Sequence, residues 1–172
     1  MLTSVEIEEY LQIADSVSEK DRKKIIRLLE ADRDNRCRDS FIAFVEHMWP
    51  VFISGKHHKI MSDAFERVAK GELKRLIINM PPRHTKSEFA SYLLPAWFLG
   101  KFPHKKIIQT AHTAELAVGF GRKVRNLVSS DAYARVFTTV LSSDSKAAGR
   151  WNTDVGGDYF AIGVGGAVTG KG

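Results

Sequence analysis

Arg75–Leu99, RLIINMPPRHTKSEFASYLLPAWFL, is the stretch on which the fold of this chain turns. Leu76, Ile77 and Ile78 form a short run rich in β-branched side chains, suited to a buried strand. Ser87–Leu94 reads as a helix entering an apolar core. Between them stands Pro81-Pro82-Arg83-His84-Thr85-Lys86-Ser87. Strand, tight loop and helix in that order make a phosphate-binding loop credible, because backbone N–H groups at the helix N-terminus and the Lys86 ammonium then converge on one polyanion. Against the pattern GxxxxGK(S/T), Lys86 and Ser87 are in place, while Met80 and Thr85 fill the two glycine positions. A bare Lys-Ser pair also suits a surface turn, so the flanking sequence has to decide.

With 172 residues and 44% hydrophobic content, the chain can bury one substantial core, which excludes a disordered class. The formal net charge of +6 is unevenly placed: residues 1–50 hold 8 basic and 11 acidic side chains, and residues 51–172 hold 18 and 9. A basic body suits a phosphate-rich partner without requiring one. The single cysteine, Cys37, allows no internal disulfide. No apolar run approaches the ~20 residues of a membrane span, and no basic-then-apolar leader opens the chain. A soluble, intracellular protein is expected.

Helical spacing of apolar residues recurs over Val5–Ala14 and Ser18–Ala31, with Ser18 and Asp21 as a capping pair. The charged run Ala31–Arg36 reads as a loop or a frayed helix end. Residues 1–50 are expected to form a small helical appendage, and residues 51–172 the body. Asp39 or Ser40 caps a short helix that Trp49-Pro50 ends. A helix over residues 57–69 presents His57, Met61, Ala64, Phe65 and Val68 on its apolar face and closes at Gly71. Adjacent histidines point to different faces, so His57-His58 gives little ground for a metal site. Trp49 and Phe52 suit the core, or an adenine platform near the loop.

After the loop, the helix from Ser87 is interrupted at Pro95 and finished by Gly100. Lys106–Thr110 is a second apolar strand, and a crossover of this length predicts parallel pairing with the strand at 76–78. Thr113 caps a helix to Val128, whose core-facing stripe is Leu116, Ala117, Phe120, Val124, Leu127 and Val128. Ser142–Gly149 is small and polar. Arg150–Thr153 and the run from Asp158 read as two extended pieces joined through Gly156-Gly157.

Taken in order, these segments resemble the ATPase domain of the large terminase subunit of tailed bacteriophages. The resemblance covers roughly residues 40–172. It rests on Gly71–Arg75 leading into Leu76–Ser87, on Gln109-Thr-Ala-His-Thr-Ala-Glu-Leu-Ala117, on Arg150-Trp-Asn-Thr153, and on Gly163-Val-Gly-Gly-Ala-Val-Thr-Gly-Lys-Gly172. Loops of that family commonly carry PPR in their first half and a glycine before the lysine; here Thr85 stands in the glycine's place.

The resemblance implies an α/β P-loop NTPase-type three-layer fold with a parallel central sheet, incomplete at its C-terminus. It also implies ATP and Mg2+ as cofactors. Pro82, Arg83, His84, Thr85, Lys86 and Ser87 would bind the nucleotide, with Lys86 neutralising β/γ-phosphate charge and Ser87 ligating Mg2+ through its hydroxyl. Arg83 would contact the γ-phosphate or hold the loop. A strand ending in adjacent carboxylates, and a nuclease domain, would be expected beyond Gly172. Implied partners are double-stranded DNA, the portal protein, the small terminase subunit and further copies of the chain in the motor, with no membrane. The implied location is the bacterial host cytoplasm, and transiently the procapsid portal. The alternatives are a non-catalytic truncated module acting in assembly or binding, and a related helicase-type ATPase.

Overall fold

The computed structural model describes residues 1–166. Two capped helices open the chain. Thr3 and Glu6 form a capping box at the head of α1 (Ser4–Ser16), and Ser18 Oγ accepts the Asp21 N–H at the head of α2 (Glu19–Asp39). The charged run Ala31–Arg36 is neither a loop nor frayed, because α2 continues through it. Its charges are paired: Arg36 Nε meets Asp32 Oδ2 one turn away at 2.7 Å, and Asp32 Oδ1 accepts the Leu2 N–H at 2.7 Å. Arg36 also donates to the Leu2 carbonyl, and Arg38 to that of Val136.

Ser40 leads into α3 (Phe41–Met48), which ends at Trp49 ahead of Pro50. Phe41 is the hub of the main core, with Phe65, Phe89 and Trp97 meeting its ring edge-on at 5.5–5.6 Å. Next comes α4 (Lys56–Ala69), turned out of its last turn by Gly71 at φ 78. Its buried side chains are His58, Met61, Ser62 and Phe65. His58, not His57, therefore heads the inward face.

The strand expected over Leu76–Ile78 is not in the sheet, so the expected parallel crossover from 76–78 to 107–110 is not formed. β-branched composition suits a half-buried pleat, but a strand also needs a neighbour to bond, and this run has none among the described residues. Ile77 is 85% exposed, and only Ile78 of the three packs on the core. Beyond the loop the chain is helical from Lys86 to Lys101: a π-wound segment, Glu88–Leu93, passes directly into α5 (Leu94–Lys101). Pro95 does not interrupt it. The widened turn just upstream accommodates a ring that lacks an N–H and crowds the preceding carbonyls.

The sheet is assembled from β1 (Lys106–Ala111), β2 (Leu141–Ala147), β3 (Arg150–Thr153) and β4 (Asp158–Gly163), with α6 (Ala114–Val128) and α7 (Asp131–Val136) after β1. Its order is β1-β4-β3-β2. β1 and β4 run parallel with Ile108 opposite Phe160, and the other two pairings are antiparallel. The two extended pieces joined through Gly156-Gly157 are β3 and β4, and a Cβ at Gly157 would come within 2.1 Å of the Pro103 carbonyl. The polar run that gave no strand signal forms β2, an edge strand with an irregular register. Thr113 Oγ1 caps α6 by accepting the Leu116 N–H at 3.2 Å.

The helix α6 packs across β4 and β1, with Ala117, Gly121, Val124, Leu127 and Val128 buried; Leu116, expected on that stripe, is 51% exposed. The chain is thus α/β, but its sheet is small and mixed with a single parallel pair. β1 is an end strand of the sheet, and among the described residues no strand pairs with its outer edge. Alongside it runs an apolar trough floored by Phe65, Val68 and Leu94. One part, about 400 Å³, is walled by β1, and the other, about 460 Å³, by Leu76 and Ile78. Ala167–Gly172, the last part of the terminase-like series, lies outside the described residues.

Candidate phosphate-binding loop

Pro81–Ser87 is delivered by the irregular Arg75–Met80 run and leaves through the helix that starts at Lys86. Two of its residues take left-handed backbone conformations without being glycine: Arg83 at φ 65 and Thr85 at φ 60. Such positions are uncommon for non-glycine residues and are costly for a β-branched one. Thr85 occupies the place where the loop pattern asks for glycine, and its backbone does what glycine's would. Its carbonyl accepts the Phe89 N–H at 2.9 Å, closing the first helical turn.

The residues from Met80 to Glu88 line a cup of about 550 Å³. Arg83, His84 and Ser87 are exposed, and Thr85 and Lys86 are half-buried. Among the described residues, the amides of Arg83, His84, Thr85 and Lys86 have no backbone carbonyl as acceptor, and the side chains of Arg83, Lys86 and Ser87 have no hydrogen-bond or ion-pair partner. A run of free N–H donors beside an unpaired ammonium and guanidinium can hold an anion. His84 folds back to donate from Nδ1 to the Pro82 carbonyl at 2.9 Å, and Pro82 shapes the rim without a donor of its own. The six residues singled out in the sequence are therefore brought together in one concavity.

The support beneath the loop includes a residue that the sequence reading passed over. The Gly55 N–H donates to His58 Nδ1 at 2.9 Å, and His58 Nε2 lies 2.7 Å from Thr85 Oγ1. Since Nδ1 accepts, the proton is on Nε2, and the imidazole donates to the threonine. Burial, helped by neighbouring His57 and His84, pushes the His58 pKa below the ordinary histidine value, so the ring is neutral at neutral pH. The signal that could have located it is the spacing His58, Met61, Ser62, Phe65, an i, i+3, i+4, i+7 face that shares Met61 and Phe65 with the one drawn through His57. Phe52 packs edge-on against the His58 ring at 4.7 Å and at a tilt against Phe89 at 5.4 Å, so it serves as core and not as a free platform.

For a divalent cation, Ser87 offers one hydroxyl oxygen. No group of three or more His, Cys, Asp or Glu side chains gathers to hold a metal among the described residues. The adjacent carboxylate, Glu88, is engaged by Lys123 Nζ at 2.9 Å. The loop alone therefore fits the anionic part of a metal–nucleotide complex better than the metal. No helix among the described residues is long and apolar enough to cross a membrane. Comparison of the chain with family models, with curated proteins and with solved structures finds no match.

Proposed function

We propose that this chain is the nucleotide-cradling part of a DNA-packaging ATPase of the terminase large-subunit type, binding ATP with Mg2+ at Pro82–Ser87. The observation that carries the reading is Thr85 at φ 60 directly before Lys86: the backbone takes the glycine conformation that the loop chemistry needs although the sequence lacks the glycine. In this reading, the amides of His84, Thr85, Lys86 and Ser87 take phosphate oxygens, Lys86 neutralises β/γ-phosphate charge, and Ser87 Oγ is the protein's oxygen ligand to Mg2+. Arg83, exposed and without an acidic partner, reaches the γ-phosphate and is not a brace for the loop.

The finer fold belongs to the same proposal. In the parallel P-loop sheet that this reading implies, a further strand seated in the trough between Leu76–Ile78 and β1 would give both runs a neighbour and would bring the carboxylates of magnesium-dependent hydrolysis. Double-stranded DNA is the polymer moved. The portal protein, the small terminase subunit and further copies of the chain are its partners, in the host cytoplasm and transiently at the procapsid portal.

Calorimetry with a slowly hydrolysed ATP analogue and Mg2+ tests the site. Lys86→Ala should weaken binding about tenfold or more, the loss of a charge-assisted contact in a partly desolvated loop. Equal affinity of the two proteins would remove the assignment.

A further inference from the structure

Thr85 sits in a region that disfavours a β-branched residue, because its Cβ crowds the following carbonyl. Its hydroxyl is bonded on both sides: it accepts the His58 Nε2–H at 2.7 Å and donates to the His84 carbonyl at 2.6 Å. The histidine has no freedom to turn. Nδ1 holds the Gly55 N–H, the ring stacks on Phe89 with centroids 5.0 Å apart, Phe52 meets it edge-on, and Ser62 Oγ donates to its carbonyl at 2.8 Å. His58 is 5% exposed.

We propose that His58 is a positioning residue of the phosphate loop. Its Nε2–H clamps the Thr85 hydroxyl, holds residue 85 in the left-handed conformation, and so aims the amides of Thr85 and Lys86 into the cup. The functional meaning of the clamp rests on the nucleotide reading above; its geometry does not. A rigid imidazole on the first turn of α4 does here, through a side-chain bond, what the absence of a Cβ does in a glycine-bearing loop. His58 touches no ligand and acts only through Thr85. The first turn of α4 and the loop are thereby coupled into one unit.

Three substitutions separate the clamp from mere packing. His58→Phe keeps an aromatic ring between Phe52 and Phe89 and removes the donor. Thr85→Val keeps the side-chain shape and removes the acceptor. Thr85→Gly removes the need for a clamp. In isotope-labelled protein, the three-bond HN–Hα coupling of residue 85 should change in the same direction in His58→Phe and in Thr85→Val. The His58 ring of the wild type should show a protonated Nε2 and a bare Nδ1.

Affinity for the magnesium complex of the ATP analogue should fall about fivefold or more in His58→Phe, the loss of one well-placed hydrogen bond together with the aim it gives. It should return to within about twofold of wild type in His58→Gln, whose amide donates from a similar place. On the Thr85→Gly background, His58→Phe should cost less than about twofold, since glycine reaches the conformation unaided. An unchanged coupling at residue 85 in both His58→Phe and Thr85→Val would overturn the clamp, as would equal losses of affinity in the two backgrounds. Should His58→Phe fail to fold, the coupling in Thr85→Val decides alone. Should the wild type bind no nucleotide, the functional reading falls while the couplings still decide the clamp.

Discussion

Thr85 carries opposing terms. A left-handed β-branched residue costs on the order of 1–3 kcal/mol, and the bond from His58 offsets part of that cost. Thr85→Gly removes the strain but frees the unfolded chain as well, so the two effects, each about 1 kcal/mol, nearly cancel in global stability. The thermal midpoint should therefore move little while nucleotide binding tightens or holds; clear weakening would mean that the threonine side chain itself serves the ligand.

Two histidines shielded from water have a second consequence at this scale. Burial holds His58 and His47 both below the ordinary histidine value, with His57 and His84 adding to it at His58 and Arg33 and Arg135 at His47. The folded state then binds fewer protons than the unfolded chain in the range just under the ordinary value. Stability contributed by the neutral rings is present above the ordinary histidine value of 6.5 and is lost as pH falls below it toward the lower folded values. The urea midpoint should drop between about pH 7.5 and about pH 5.5, and His58→Phe should flatten part of that drop. An identical pH dependence in wild type and variant would show that His58 is not one of the groups responsible.

Among the elements, α6 is the one whose seating on the sheet is most sharply specified. At Gly121 a Cβ would come within 2.5 Å of the Ala148 carbonyl, a backbone atom that cannot swing aside, whereas at Gly119, on the same helix, a Cβ would meet nothing within 4 Å. Gly121→Ala should cost about 1–3 kcal/mol by overpacking, and Gly119→Ala should gain up to about 1 kcal/mol from helix propensity. Chemical denaturation of the two variants checks the pair, and destabilisation by both would contradict the packing described here. The helix was legible in the sequence because its cap, Thr113, and its apolar period are local signals.

The hairpin of β3 and β4 was legible for a similar reason, its turn glycines. β2 was not, because its small polar residues carry no alternation and it exists through its neighbour. Leu76–Ile78 failed in the opposite sense: its composition is that of a strand, but composition supplies no partner. The charged tail of α2 was misread because a sequence does not reveal that Asp32 and Arg36 clasp the backbone of Leu2, thirty residues away in the chain. The candidate loop was legible as to which residues it gathers. Its support was not, since the Thr85 conformation and the His58 bond both depend on contacts across 27 positions of sequence.

For the whole molecule, binding and turnover separate. Hydrolysis needs a metal held between the loop hydroxyl and a carboxylate, with a second group to place the water. Among the described residues no group of three or more His, Cys, Asp or Glu side chains gathers to hold a metal, and Glu88, next to Ser87, is engaged by Lys123. The 172-residue protein should therefore bind Mg2+–ATP but release phosphate no faster than its Lys86→Ala variant. Phosphate release well above that variant would mean that a carboxylate on another copy of the chain reaches the loop. The open side of β1 bears on handling the protein as much as on its chemistry. An edge strand that no other strand covers among the described residues, and with Ile108 44% exposed, is a template for the same strand of a second molecule, and the bare Ile77 adds a sticky neighbour. Lys105 just before it is a charge that would oppose such stacking, so salt, which screens it, should hasten clouding of concentrated solutions.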